Sequence, residues 1–184
     1  MGGCFNSVVI VGKIASGKTT LAKEISYRLK ATVISFGDYL RYIAKSKGLN
    51  PDRNILQALG LEMINTKIPS QFVSDVVEYC LRNSDFRHDR LVFEGVRHES
   101  ILNAIKKISH RCIVIYIELD NKQLIENALK REGGDPASII KFLNHEVESE
   151  INDMKEQADV VFFELPSEKD IQKICELFEI KQTT

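Results

Sequence analysis

Five short stretches of the chain are apolar almost without interruption: SVVIV (7–11), ATVIS (31–35), RLVF (90–93), CIVIYIE (112–118) and DVVFF (159–163). A strand with one face in water alternates apolar and polar positions. Near-continuous Val and Ile instead indicate strands covered on both faces. Between these stretches the apolar period lengthens to that of a helix. Leu21, Ile25 and Leu29 follow the first strand, Ile101, Leu102, Ile105 and Ile108 follow the third, and Ile140, Leu143, Val147, Ile151 and Met154 precede the fifth.

Strand and helix therefore alternate, which predicts an α/β domain around a parallel sheet. One interval departs from the rhythm. About fifty residues separate the second and third strands, with helical patterns over 37–47, 52–66 and 70–83. That is too long for a single crossover, so residues 37–88 are expected to form a helical insertion over the carboxyl edge of the sheet. Helix starts carry their usual signals: Asn50-Pro51 and Asp135-Pro136 place a capping side chain before a first-turn proline, and Ser167 with Asp170 resembles a capping box. Repeats, low-complexity tracts and Pro/Gly-rich linkers are absent from the sequence, so residues 1–184 read as one domain.

Composition narrows the function classes without choosing among them. With 184 residues the chain is long enough to bury a core, and 43% hydrophobic with 28% charged residues is ordinary for a soluble globular protein. A net charge of −1 gives no general attraction to nucleic acid or to anionic membranes, so anion binding must come from local clusters. Cys4, Cys80, Cys112 and Cys175 are widely spaced and contain no C-x-x-C pair, which reads as reduced thiols in a cytoplasmic protein. No apolar run approaches the ~20 residues of a membrane helix. The start MGGCFN has Asn6 where the myristoylation pattern requires Ser or Thr.

The chemistry begins directly after the first strand. Gly12-Lys13-Ile14-Ala15-Ser16-Gly17-Lys18-Thr19 fits G-x-x-x-x-G-K-[ST] in full. Such a loop curls around a phosphate with its backbone N–H groups pointing inward, and glycines permit the angles and the close approach. The following helix adds free N–H groups and the positive end of its dipole. Strand before and amphipathic helix after are the context this motif demands. Gly12, Ala15, Ser16, Gly17, Lys18, Thr19 and Thr20 are thus the expected binding residues for a nucleoside triphosphate. Lys18 would reach the terminal phosphates, and the Thr19 hydroxyl would ligate Mg²⁺.

The ends of the next two strands bear on where the phosphate goes. After the second comes SFGDYLR, with Asp38 and Arg41 three apart on a first helical turn. After the third comes FEGVRH, with Glu94 at the strand tip, Gly95 to turn the chain, and then Arg97. Both segments fall at the carboxyl edge, where ligands bind in open α/β sheets. A carboxylate at such a tip commonly holds a water of Mg²⁺.

SFGDYLR resembles the TGD-hydrophobic-LR segment of nucleoside monophosphate kinases, and FEGVRH resembles their DG-x-x-R segment. The resemblance runs through nearly the whole chain in order of elements. It implies a P-loop NTPase fold, a three-layer sandwich with sheet order 2-3-1-4-5, and transfer of the γ-phosphoryl of ATP with Mg²⁺. It further implies that Arg41 and Arg97 clamp the phosphate of an acceptor, most simply a (deoxy)nucleoside monophosphate. Arginine suits that task because its planar fork bonds phosphate oxygens bidentately. Glu94 replaces the usual aspartate, and the segment is one residue shorter with no proline before Arg97. GVRH together with PDRNILQALG is similar to the branch of phage-type deoxynucleoside monophosphate kinases and dephospho-coenzyme A kinases, which implies an acceptor role for Arg53.

On this reading Lys18, Asp38 and Arg131 are the expected catalytic residues, Asp38, Arg41, Arg53 and Arg97 bind the acceptor, and Thr19 and Glu94 serve the metal. Arg131 lies in LKREGGDPAS, expected to form a short lid over 130–138; the rival reading is a solvated charge at a helix end. Partners are small-molecule nucleotides rather than nucleic acid or membrane, and the sequence assigns no oligomeric state. Two alternatives stand beside the monophosphate acceptor: a hydroxyl acceptor, for which Asp38 would act as general base, and a nucleotide-binding regulatory module with no acceptor. His98, the pair His145 and Glu148, and Tyr39 and Tyr42 each have a plain structural reading beside a ligand-binding one.

Overall fold

The structure is a computed structural model that describes residues 5–82, 84–132, 140 and 151–179, the side chains of Arg87, Arg131 and Glu132 excepted. Five strands form one sheet: β1 (Phe5–Gly12), β2 (Ala31–Ser35), β3 (Arg87–Glu94), β4 (Ser109–Ile117) and β5 (Val160–Phe162). Every pairing is parallel and the order is β2-β3-β1-β4-β5, as the sequence implies. The helices are α1 (Lys18–Leu29), α2 (Phe36–Ser46), α3 (Arg53–Thr66), α4 (Pro69–Leu81), α5 (Glu99–Ile108), α6 (Asn121–Glu132) and α7 (Glu168–Glu179), with a 3₁₀ turn at Met154–Gln157.

The continuous apolar strands have the cause expected of them. In β1, Val8 and Ile10 point to one face and pack with Leu21 and Ile25 of α1, Leu124 of α6 and Phe178 of α7. Val9 and Val11 point to the other face and pack with Phe72 and Val76 of α4 and Leu102 and Ile105 of α5. Val8 to Val11 have no exposed surface. Each such side chain contributes about 1.5–3 kcal/mol of burial, so a polar substitution on either face of β1 opens one of two cores. The sheet is thus the middle of three layers.

Several boundaries differ from the sequence reading. β3 already begins at Arg87, so the last two residues assigned to the helical insertion belong to the sheet. Asn50 does not cap α3. That helix starts at Arg53, and the Asp52 carboxylate takes the cap by accepting the Ile55 N–H at 3.0 Å. The Asn50 carbonyl instead accepts the Asp52 N–H at 2.8 Å in a turn that carries Pro51 ahead of the helix. At α7 the expected box forms: Ser167 N–H donates to Asp170 Oδ2 at 3.0 Å and Asp170 N–H to Ser167 Oγ at 3.3 Å.

The expected lid meets a helix. α6 runs through Glu132, so Lys130 and Arg131 occupy its last turn and not a loop. The Arg131 side chain, residues 133–139, and His145 and Glu148 lie outside the described residues, as does the capping reading of Asp135-Pro136.

Candidate active site

Parallel strands end together, and the loops leaving β1, β2 and β3 meet over one edge. Register brings the chemistry into line: Glu94 at the end of β3 stands beside both Ile10 of β1 and Ser35 of β2. A cleft of about 880 Å³ opens there. It is lined by Ala15 to Thr20 on one side, by Asp38, Arg41 and Arg53 on the other, and by Glu94 and Arg97 between them.

One side of the cleft is a curled loop. Gly12 has φ 155°, Ala15 φ 61° and Gly17 φ 84°, and Gly17 caps α1 without a side-chain bond. Gly12 does not line the cleft; its role is to let the chain pass. A Cβ there would stand 2.6 Å from the Ile117 carbonyl oxygen and 2.8 Å from Ser16 Oγ, distances that backbone cannot relieve. Ala15 holds a left-handed conformation that disfavours a side chain, a form of strain that persists only where neighbours enforce it. Asn127 of α6 contributes by donating its side-chain amide to the Ala15 carbonyl at 3.1 Å. Lys18 is buried, and its ammonium donates to the Lys13 carbonyl at 2.5 Å and to Ser16 Oγ at 3.3 Å. A cation is thus held within the loop by one carbonyl and one hydroxyl, and the cradle suits a polyphosphate.

Beside the loop lies a small oxygen cluster. The Thr19 hydroxyl donates to Glu94 Oε2 at 3.1 Å, and the Ser35 hydroxyl donates to Glu94 Oε1 at 2.5 Å. Among the described residues no group of three or more His, Cys, Asp or Glu could hold a metal by itself. The hard donors Thr19 and Glu94 nevertheless fit Mg²⁺, which keeps waters and takes phosphate oxygens in place of a full protein cage.

The side facing the loop is built of long side chains. Arg41 donates to Asp38 Oδ1 at 2.8 Å across one turn of α2, and both groups line the cleft. Their side chains keep 51% and 64% of their exposure, so this is a surface-type pair, worth no more than about 1 kcal/mol and readily exchanged for a ligand. The wall behind them is apolar: Leu40, Leu56, Leu61, Ile64 and Phe72 face the same space. His98 is the N-cap residue of α5 and also lines the cleft. Tyr39 and Tyr42 do not line it. Tyr39 is buried against Phe72 and Tyr79, and Tyr42 stacks on Tyr79 with centroids 4.9 Å apart. Burial pushes the nearby Cys80 thiol above its ordinary pKa, partly opposed by a bond from the Ser35 backbone.

The structure therefore gathers Ala15, Ser16, Gly17, Lys18, Thr19, Thr20, Asp38, Arg41, Arg53, Glu94 and Arg97 around one space. The sequence reading missed Ser35 and Asn127; Leu165, which also lines the cleft, lies in the loop ELPSEKD (164–170), where the resemblance places the adenine. Ser35 opens the quoted SFGD segment, so a signal existed. Asn127 reaches the loop from more than a hundred residues away, and nothing local marks it.

A family profile described as an AAA domain matches residues 11–141, well over half of the chain. No curated protein matches the sequence. Solved structures do match in fold. A gluconokinase from Sinorhizobium meliloti superposes with a TM-score of 0.55 at 13% identity, covering 98% of this chain and 99% of that one. TT1252 from Thermus thermophilus gives 0.60 at 14% identity over 98% and 99% of the two chains. A shikimate kinase from Aquifex aeolicus gives 0.56 at 17% identity over 94% and 96%. No helix among the described residues is long and apolar enough to cross a membrane.

Proposed function

Because the chain belongs to the AAA domain family, we propose that it is a P-loop kinase that transfers the γ-phosphoryl group of ATP, with Mg²⁺, to a small anionic acceptor, most simply a nucleoside or deoxynucleoside monophosphate. One observation carries this reading: three arginines, Arg41, Arg53 and Arg97, line the same cleft as the phosphate loop. A nucleotide switch has no need of a second anion site opposite the first. The apolar wall of Leu56, Leu61, Ile64 and Phe72 suits a base or a similarly flat group beside that phosphate.

The division of labour follows from charge and position. Lys18 and the loop N–H groups hold the donor phosphates, and the buried ammonium offsets charge that develops between β and γ oxygens. Thr19 and Glu94 hold the cation, which when bound neutralises phosphate charge and orients its oxygens. Arg41, Arg53 and Arg97 fix the acceptor in line, so that most of the rate comes from positioning. Asp38 orients the acceptor, and Arg131 at the end of α6 is assigned to screen the transferring group. A cytoplasmic setting suits the free thiols of Cys80, Cys112 and Cys175.

A second reading has its own support. Two of the structural neighbours bear the names of kinases of gluconate and of shikimate, and Asp38 is an exposed carboxylate in the cleft. With a hydroxyl acceptor Asp38 would be a general base; a phosphate acceptor is already ionised and needs none. ADP release measured against ribo- and deoxynucleoside monophosphates, dephospho-coenzyme A and small hydroxy acids identifies the acceptor. Asp38→Asn should then lower kcat by about 10²-fold or more on a hydroxyl acceptor, and by far less on a monophosphate. Equal low-pH inflections in the pH–rate profiles of the two proteins would exclude the base role. No stimulation of ADP release by any acceptor would favour a regulatory nucleotide binder.

A further inference from the structure

Ser35 ends β2 and is the N-cap of α2, so one residue belongs to the sheet and to the helix that carries Asp38 and Arg41. Its hydroxyl makes two bonds in opposite senses. It accepts the Asp38 backbone N–H at 3.2 Å and donates to Glu94 Oε1 at 2.5 Å. A hydroxyl has a single proton to give; a backbone N–H can only donate and a carboxylate only accept, so the direction of both bonds is fixed. The other Glu94 oxygen is held by the Thr19 hydroxyl at 3.1 Å. Ser35 and Glu94 are buried, at 5% and 8% exposure, so water does not readily substitute for either partner. Glu94 is therefore gripped from the donor side by Thr19 and from the acceptor side by Ser35.

We propose that Ser35 is a positioning residue that couples the two halves of the site: its hydroxyl orients Glu94 toward the metal while it pins the first turn of α2. The inference rests on the kinase reading for its purpose, since only a transfer reaction requires metal and acceptor groups at a fixed separation. Its geometry is independent of which acceptor is used. Ser35→Ala removes both bonds at once and leaves a buried carboxylate oxygen and the Asp38 N–H without this partner. Ser35→Thr retains the hydroxyl.

The test reads metal binding without turnover. Mn²⁺ affinity of the protein bound to a non-hydrolysable ATP analogue is titrated by electron paramagnetic resonance, with melting curves recorded alongside. Ser35→Ala is expected to weaken Mn²⁺ by about tenfold or more, the usual loss when a partner of a metal ligand is removed. Ser35→Thr should restore it. In a Glu94→Gln background Ser35→Ala should change Mn²⁺ affinity by less than about twofold, since coupled residues are non-additive. In turnover assays the KM for the acceptor should rise with Ser35→Ala while the KM for ATP at saturating metal stays constant. Unchanged Mn²⁺ affinity in Ser35→Ala, an equal loss in both Glu94 backgrounds, or failure of Ser35→Thr to restore it overturns the proposal and leaves a helix cap only. Should Ser35→Ala not fold, Ser35→Cys, close in size and a weak donor, takes its place in the same cycle. If no acceptor is phosphorylated, the kinase reading fails and the metal measurement still decides Ser35.

Discussion

The phosphate-loop side of the cleft rests on backbone and the buried Ser16 and Lys18, whereas across the cleft Arg41 and Asp38 stand largely in water. Ser16 and Lys18 are 0% and 7% exposed, while the side chains of Arg41 and Asp38 keep 51% and 64%. On the donor side the positive φ of Ala15, the Asn127 bond and the tight passage at Gly12 fix the loop from within the protein. On the acceptor side Arg41 rests on Asp38 in a pair that solvent weakens. A preformed cradle suits a ligand common to many enzymes, and adjustable arms suit one that must be chosen and then enclosed. The difference predicts that donor-side changes act on every reaction of the protein, and that changes to the acceptor-side arginines act on recognition.

The largest expected effect tests the donor half. Lys18→Ala deletes a buried cation whose bonds to the Lys13 carbonyl and Ser16 Oγ are internal to the loop. ADP release should fall on the order of 10³-fold, as when a preorganised electrostatic donor is removed, with every acceptor affected alike. A loss confined to one acceptor would break the comparison. If ATP binding disappears and the wild type itself shows no acceptor-dependent ADP release, the regulatory reading gains.

Arg97→Ala and Arg41→Ala come next. Loss of a charge-assisted bond to phosphate is worth about 1.5–3 kcal/mol, so the KM for the acceptor should rise roughly 10–100-fold. The KM for ATP should not move. Arg41→Lys should recover only part of the loss, because a point charge does not reproduce the fork. A parallel rise in both constants would place these arginines on the donor phosphates and collapse the distinction between the two halves.

The donor half was also the more legible in sequence, for a physical reason. Its function lies in backbone conformation, and backbone conformation is written locally, in Gly12, Gly17 and the strand before them. The same holds for the sheet: a strand buried on both faces shows as an apolar run, and all five runs became strands. Arginine and carboxylate at the ends of β2 and β3 could be placed at the cleft because parallel strands end on one edge. What could not be read are the choices between near-equivalent partners. Asp52 and not Asn50 caps α3, since either side chain offers an acceptor and the turn at Pro51 decides. Asn127 supports Ala15 through tertiary contact alone. The Ser35 cap on Asp38 is local, but its bond to Glu94 forms only when β2 and β3 are in register.

The smallest expected effect concerns how firmly the acceptor-side helices are tied. Lys67, the residue that ends α3, pairs with Asp75 of α4, and Gln71 also donates to Asp75 at 2.9 Å. Burial alone would raise the Asp75 pKa, but the bonds from Lys67 and Gln71 and the Lys67 charge hold it below its ordinary 3.8. The Lys67 pKa is raised above 10.5, chiefly by the bond to Asp75. A depressed carboxylate stabilises the fold above its unfolded pKa and loses that contribution as pH falls through the folded value. A raised ammonium stabilises below its unfolded pKa and loses its contribution as pH rises through the folded one. The pair therefore acts across neutral pH and fades at both extremes. Because both side chains are partly exposed, at 32% and 23%, Asp75→Asn should cost no more than about 1 kcal/mol at pH 7. The melting difference from wild type should shrink as pH falls below 3.8 and vanish once pH is below the depressed folded pKa. ATP affinity should not change, while the acceptor KM rises slightly as α3 and α4 loosen. A melting difference that persists unchanged into acid would assign the contact to packing instead of charge, and an altered ATP affinity would show that the two halves are mechanically joined beyond Ser35.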